Sequence, residues 1–176
     1  MIGKALALIL ILSSALTIGI VAAACDDDGG GGGTVTLEEF FVALQALDDD
    51  LEEKSTELDA EGEALGEDAT VDEAVAIFRQ QVELIEEFVN DLDALEAPPE
   101  AADLLEEAVS AGGEVVRLFG ELLDEAEGTE TLDEFFGFFE GETEAAAAFE
   151  RFDQACLDLE QLAADNDITI DLNCEE

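Results

Sequence analysis

Three times the chain opens a segment in nearly the same letters: Thr36-Leu-Glu-Glu39, Thr70-Val-Asp-Glu73 and Thr131-Leu-Asp-Glu134. Thr followed three residues later by Glu is a capping box. The hydroxyl satisfies an early backbone N–H and the carboxylate reaches back to the cap residue, so each box fixes a helix start. Acids in the first turn also suit the positive end of the helix dipole. The likeness of TLEEFFVAL (36–44) to TLDEFFGFF (131–139) is not continued downstream, so shared capping chemistry explains it better than duplication.

Behind each start the apolar residues recur at helical spacing. Leu37, Leu44, Leu51, Leu58 and Leu65 stand seven apart, with Phe40 and Leu47 at the companion position. Such a row fits a dimeric leucine-zipper seam or one helix of an intramolecular bundle. The matching stripes on the later segments favour the bundle. A first connection is expected at 62–69 and a second helix over 71–95, with Val71, Val75, Phe78, Val82, Ile85, Val89, Leu92 and Leu95 inward. Pro98-Pro99 stops it, and Pro99 suits the start of a third helix over 99–127. Gly112-Gly113 in its middle marks either a close helix crossing or a kink. A fourth segment over 132–164 is expected to break near Glu140, between Gly137 and Gly141. The expected fold is all-α: an up-down antiparallel four-helix bundle with an extended, disulfide-pinned C-terminal tail.

Composition narrows the function. The 176 residues hold 48 acids against 5 bases, a net charge of −43, yet 48% are hydrophobic, too many for a disordered acidic tail. Phosphate binding needs a basic surface, so nucleic acid is excluded as a partner. The mean spacing of net charges on a compact domain of this size is about 13 Å, just beyond a Debye length of ~8–10 Å. Such a surface repels itself and depends on counterions. It serves either solubility and salt adaptation or the docking of cations or a basic protein. There is no His, Trp or Tyr, and the one Met is the initiator. Triads built on His and Met-rich copper sites are therefore absent. Beyond Cys25 only Ser55 and Ser110 are serines, and neither lies in a nucleophile-elbow pattern. Paired carboxylates run glycoside hydrolysis, but among 48 acids spacing selects no pair. A non-enzymatic role is expected.

The first 25 residues read MIGKALALILILSSALTIGIVAAAC: Lys4, then an uncharged run over 5–24, then small residues before Cys25. That is the layout of a secretory signal peptide. Ala22-Ala23-Ala24 before the cysteine resembles the lipobox of bacterial lipoproteins, with Ala22 where that family most often has Leu. The resemblance implies cleavage before Cys25 and a covalent lipid on its thiol, anchoring the chain to the outer face of a bacterial membrane. The alternative is that 5–24, long enough for a bilayer, stays as an uncleaved anchor. In both cases Lys4 remains inside and the rest lies outside. The expected organisation is a signal peptide over 1–24, a lipidated Cys25 with an Asp/Gly-rich tether over 25–33, and an acidic helical domain over 34–176. The domain's bases are Lys54, Arg79, Arg117 and Arg151.

With Cys25 lipidated, Cys156 and Cys174 remain, and an even pair in an oxidising compartment reads as a disulfide. It closes a loop of about 17 residues, worth on the order of 3 kcal/mol by chain entropy. The segment DNDITIDLNCEE (165–176) places Asp165, Asp167, Thr169, Asp171, Asn173 and Glu176 at positions 1, 3, 5, 7, 9 and 12 of a loop. That resembles the calcium loop of EF-hand proteins. It departs from that pattern at position 6, where Ile170 replaces Gly, and it has no exiting helix. The alternation of Ile168, Ile170 and Leu172 reads instead as an extended tail with one apolar side. Phe135, Phe136, Phe138 and Phe139 crowd five positions. They either pack at the corner between two helices or leave one or two rings exposed as a docking patch. Two functions follow as expectations: a lipid-anchored, non-enzymatic interaction or envelope protein with an acidic surface, or a divalent-cation (calcium) binder.

Overall fold

In a computed structural model, residues 35–66, 69–139, 143–172 and 174 are described. All three Thr-x-x-Glu boxes stand at helix starts. At α1 (Leu37–Leu65) the Thr36 backbone N–H and hydroxyl both donate to Glu39 Oε2, at 2.9 and 2.8 Å, while the Glu39 N–H donates to Thr36 Oγ1 at 3.2 Å. Thr70 and Glu73 repeat this at α2 (Val71–Ala94), with 2.8 Å for both donations to the carboxylate. These backbone and hydroxyl donors hold the Glu39 and Glu73 carboxyls below their ordinary range. The third box, at α4 (Leu132–Phe139), is looser. There the Glu134 N–H still donates to Thr131 Oγ1 at 3.3 Å, but its carboxylate accepts from the Glu130 N–H, one residue further back.

Two boundaries differ from the sequence expectation. The first connection is shorter than 62–69, because α1 continues through Gly62 to Leu65 and ends on Gly66, whose φ of +69° suits only glycine cheaply. The third helix, α3 (Ala102–Ala126), starts three residues after Pro99. Here the Pro98 carbonyl accepts from the Ala101 and Ala102 N–H groups at 2.9 and 3.1 Å, so a proline turn replaces a side-chain cap. Ala101 is fully buried, which leaves no room for a capping side chain. The fourth segment divides into α4 and α5 (Thr143–Asp165), and the expected break near Glu140 lies outside the described residues. Among the described residues there is no strand, and the architecture is all-α.

Neighbouring long helices run antiparallel. Lys54 of α1 meets Glu87 of α2 while Asp59 meets Gln81, so one helix ascends as the other descends. By the same logic Arg79 and Val89 of α2 face Glu127 and Gly112 of α3, and Gly112 and Phe119 of α3 face Phe152 and Phe149 of α5. The direct helix packings are α1 on α2, α2 on α3 and α3 on α5, with α4 set against α2 and α3.

The glycine pair in α3 marks a close crossing. A Cβ on Gly112 would lie 2.6 Å from Val89 Cγ2 and 3.2 Å from a Phe152 ring carbon, so the absent side chain is what lets α2 and α5 approach on both sides. Gly113 faces open space.

The core falls into clusters. One gathers Phe40, Phe41 and Leu44 of α1 with Leu92, Ala101, Leu105, Ala108, Ala155, Leu159, Ala163 and Leu172. At the far end lie Ala74, Val75, Leu123, Ala126 and Phe135, with Phe78, Phe136 and Phe139 packed against them. Between them α3 and α5 share Val115, Leu118, Ala145 and Ala148. Of the leucine row on α1 only Leu44 is buried, while Leu37, Leu51, Leu58 and Leu65 are half-buried. No polar or charged residue is buried among the described residues.

Candidate functional site

Three surface features answer to the residues singled out by the sequence. The first is the C-terminal tail. Helix α5 ends in a Schellman turn: the Ile168 N–H donates to Ala163 O at 2.9 Å and the Asp167 N–H to Ala164 O at 3.1 Å. Asp167 takes the left-handed position, with φ at 60°. Ile168 then packs on the cluster that holds Ala163, as the motif's hydrophobic contact. Asp165 is the last residue of α5 and accepts from Gln161 Nε2 at 2.7 Å. Thr169 is exposed, Ile168 and Ile170 are half-buried, and Leu172 is buried, which is the alternation of an extended segment with one apolar side.

Two side chains that belong to no recognisable motif hold this segment. The Gln45 amide of α1 pairs with the backbone of Asp171 as a neighbouring strand would. Its Nε2 donates to Asp171 O at 2.7 Å and its Oε1 accepts from the Asp171 N–H at 2.9 Å. Glu160 of α5 accepts from the Leu172 N–H at 2.9 Å. The Sγ atoms of Cys156 and Cys174 lie 1.97 Å apart, with Cα atoms 5.8 Å apart, which is bonding distance. Between α1 and α5, which lack the extensive direct packing of the other long-helix neighbours, the tail is the filling. Of the proposed calcium ligands, Asp165 and Asp167 flank the helix stop and Asp171 contributes its backbone to the Gln45 pair. Glu176 lies outside the described residues. Among the described residues no group of three or more acids and cysteines is arranged to hold a metal ion.

The second feature is the acidic surface and its few cations. Lys54 reaches Asp50 at 2.8 Å and Glu87 of α2 at 3.0 Å, and these two carboxylates hold its pKa well above the ordinary lysine range. Arg79 of α2 bridges to Asp124, at 3.6 Å, and to Glu127 on α3. Arg151 of α5 binds Glu114 of α3, and Arg117 meets Glu121 at 2.8 Å and Glu114 at 3.9 Å. The Arg151 hydrogen bond keeps the Glu114 carboxyl below its usual range. Each direct seam between long helices thus carries one cation. These pairs are largely exposed, so each contributes about 0–1 kcal/mol. All four of the domain's bases are engaged, and the carboxylates outnumber them many times over.

The third is the aromatic corner. Phe135 is fully buried, with rings of Phe78, Phe136 and Phe139 at 5.3 Å from its own. Phe139 continues to Phe119 at 6.1 Å, and Phe119 to Phe149 at 5.3 Å, linking α2, α4, α3 and α5 through six rings. Three of the four crowded phenylalanines therefore pack inward. Phe138 points out and is 37% exposed, as is Phe149, so only the smaller part of a docking patch is on the surface.

Cys25 and the rest of 1–34 lie outside the described residues. Among the described residues no helix is long and apolar enough to cross a membrane. No known protein family, curated protein sequence or solved structure matches the chain.

Proposed function

We propose that this chain is a lipid-anchored, extracytoplasmic binding protein without catalytic activity. In this reading Cys25 carries the lipid and 25–33 serve as the tether. The domain over 34–176 closes into an up-down antiparallel four-helix bundle with its tail pinned by the Cys156–Cys174 disulfide. The partner is a basic protein that docks on the carboxylate surface. The observation that carries this reading is the charge inventory: each of the four bases in the domain is already engaged by carboxylates, and the excess acid surrounds a core with no buried polar residue. Recognition by such a surface is steered by long-range attraction and weakens with salt.

The anchor is tested by expressing the full chain in a bacterium fed labelled fatty acid. Label should enter the chain and the protein should sediment with membranes, and both should be lost in Cys25→Ser. Label-free protein that still sediments would point to an uncleaved anchor. For the surface, thermal unfolding in CaCl₂ is compared with NaCl at matched ionic strength. Equal shifts leave screening and a protein partner. A saturable calcium shift lost in Asp165→Ala/Asp167→Ala would replace the basic partner with a cation.

A further inference from the structure

The tail does more than end the chain. It lies where α1 and α5 leave a gap, and Leu172, 6% exposed, joins Phe40, Phe41, Leu44, Ala155 and Leu159 in one cluster. What holds it divides into two kinds. The Gln45 pair, the Glu160 acceptor and the apolar contacts of Ile168, Ile170 and Leu172 are noncovalent and open on their own by local fluctuation. The Cys156–Cys174 bond is covalent and opens only by chemistry. Charge works against the noncovalent set. The segment carries Asp171, and the residues that hold it bring two more acids: Glu160, which accepts from the Leu172 N–H, and the exposed Asp49, which shares the Gln45 amide at 3.0 Å.

We infer that residues 168–172, tied down through Cys174, form a redox-sensitive latch over an apolar cleft between α1 and α5, closed while Cys156 and Cys174 are bonded and released when they are reduced. This rests on the disulfide-pinned tail proposed above and adds a switch to it. The reductant is a dithiol. One of its thiolates attacks Cys174 Sγ, forming a mixed disulfide and expelling Cys156 as thiolate. The second dithiol sulfur then attacks the mixed disulfide and expels Cys174. Two electrons pass to the cystine, the dithiol becomes a disulfide, and its two protons end on Cys156 and Cys174. With the covalent restraint gone, like-charge repulsion and the regained freedom of the segment favour the open form, uncovering the side chains under Leu172. Salt screens the repulsion, so release is greatest at low ionic strength.

The full chain is digested without reduction to establish the bond, and amide hydrogen exchange is then followed before and after dithiothreitol, and in Cys156→Ser/Cys174→Ser. Exchange at Asp171 and Leu172, whose N–H groups bond Gln45 and Glu160, should accelerate about 100-fold, as expected from loss of a short-loop constraint. Amides around Val89 and Val115 should keep their protection, and reoxidation should restore the slow rate. Unchanged protection of Asp171 and Leu172 in reduced protein would overturn the latch, because the tail would then stay docked without the bond. Loss of protection in α2 and α3 together with the tail would also overturn it, leaving a staple of the whole domain. Free thiols at Cys156 and Cys174 in the unreduced digest would remove the pinned tail itself, a failure distinct from both.

Discussion

The two ends of the molecule close by different means. At the strapped end, α1 and α5 leave a gap that an extended segment fills, held by backbone hydrogen bonds to Gln45 and Glu160 and by sulfur atoms at bonding distance. At the aromatic corner the short helix α4 does the closing, and linked phenylalanine rings replace the strap. The first solution depends on specific polar partners and on two sulfur atoms at bonding distance. The second depends on shape and buried area alone. An acidic chain with four bases in its domain has few ion pairs to spend on closing an end, and the two solutions are the ones that avoid them.

The largest expected effect is at the corner. Phe135→Ala removes a fully buried ring with three aromatic neighbours and should cost about 3–5 kcal/mol in chemical denaturation. Phe41→Ala, equally buried at the strapped end, should cost a similar amount. Because the two rings sit in separate clusters, the double variant should be additive within about 0.5 kcal/mol, and a larger coupling would show that the ends are one cooperative core.

Next comes the glycine pair between the ends. Gly112→Ala should destabilise by about 1–3 kcal/mol despite alanine's better helix propensity, because the new Cβ would lie 2.6 Å from Cγ2 of Val89, a buried and stiff β-branched side chain. Gly113→Ala meets nothing within 4 Å and should stabilise by up to about 1 kcal/mol. Thermal midpoints of the two variants should therefore move in opposite directions.

The cap at the strapped end is smaller. Thr36→Ala should cost about 1 kcal/mol. The Thr36 backbone N–H and then its hydroxyl lower the Glu39 pKa, so the bond contributes fully above the ordinary value of 4.5 and is lost as pH falls through the lower folded value. The Thr36→Ala penalty in thermal unfolding should accordingly shrink on acidification. The smallest effect is expected from Phe138→Ala, whose ring is over a third exposed. It should change stability within about 0.5 kcal/mol while weakening partner binding if the corner docks one.

The sequence announced the helices far better than what joins them. The capping boxes and periodic stripes placed α2 within one residue at its end, because both signals are local. Gly62 misled, since a glycine inside a helix looks the same in sequence as one that ends it, and only the positive φ of Gly66 marks the stop. Phe41 escaped because it falls off the seven-residue leucine row while reaching the same core. In the tail, the alternation of Ile168, Ile170 and Leu172 was visible. Gln45 was not, because it meets Asp171 across 126 positions and carries no pattern of its own. The Asp-rich stretch that resembles a calcium loop includes a helix stop, a role that Asp167 fills through its left-handed backbone.

The engaged cations have a consequence for how the helices find their alignment. Arg79 meets Asp124 and Glu127, and a slide of α3 by one turn would bring it toward Glu121 and Asp124 instead. On helices so rich in carboxylates, attraction to a guanidinium is nearly flat along the axis, so charge can draw two helices together but cannot index them. The index is steric. Gly112 is the notch into which Val89 and Phe152 fall, and a slide of one turn would set Ala108 or Val116 against them instead. In this domain the vernier that sets the assembly is a missing methyl group.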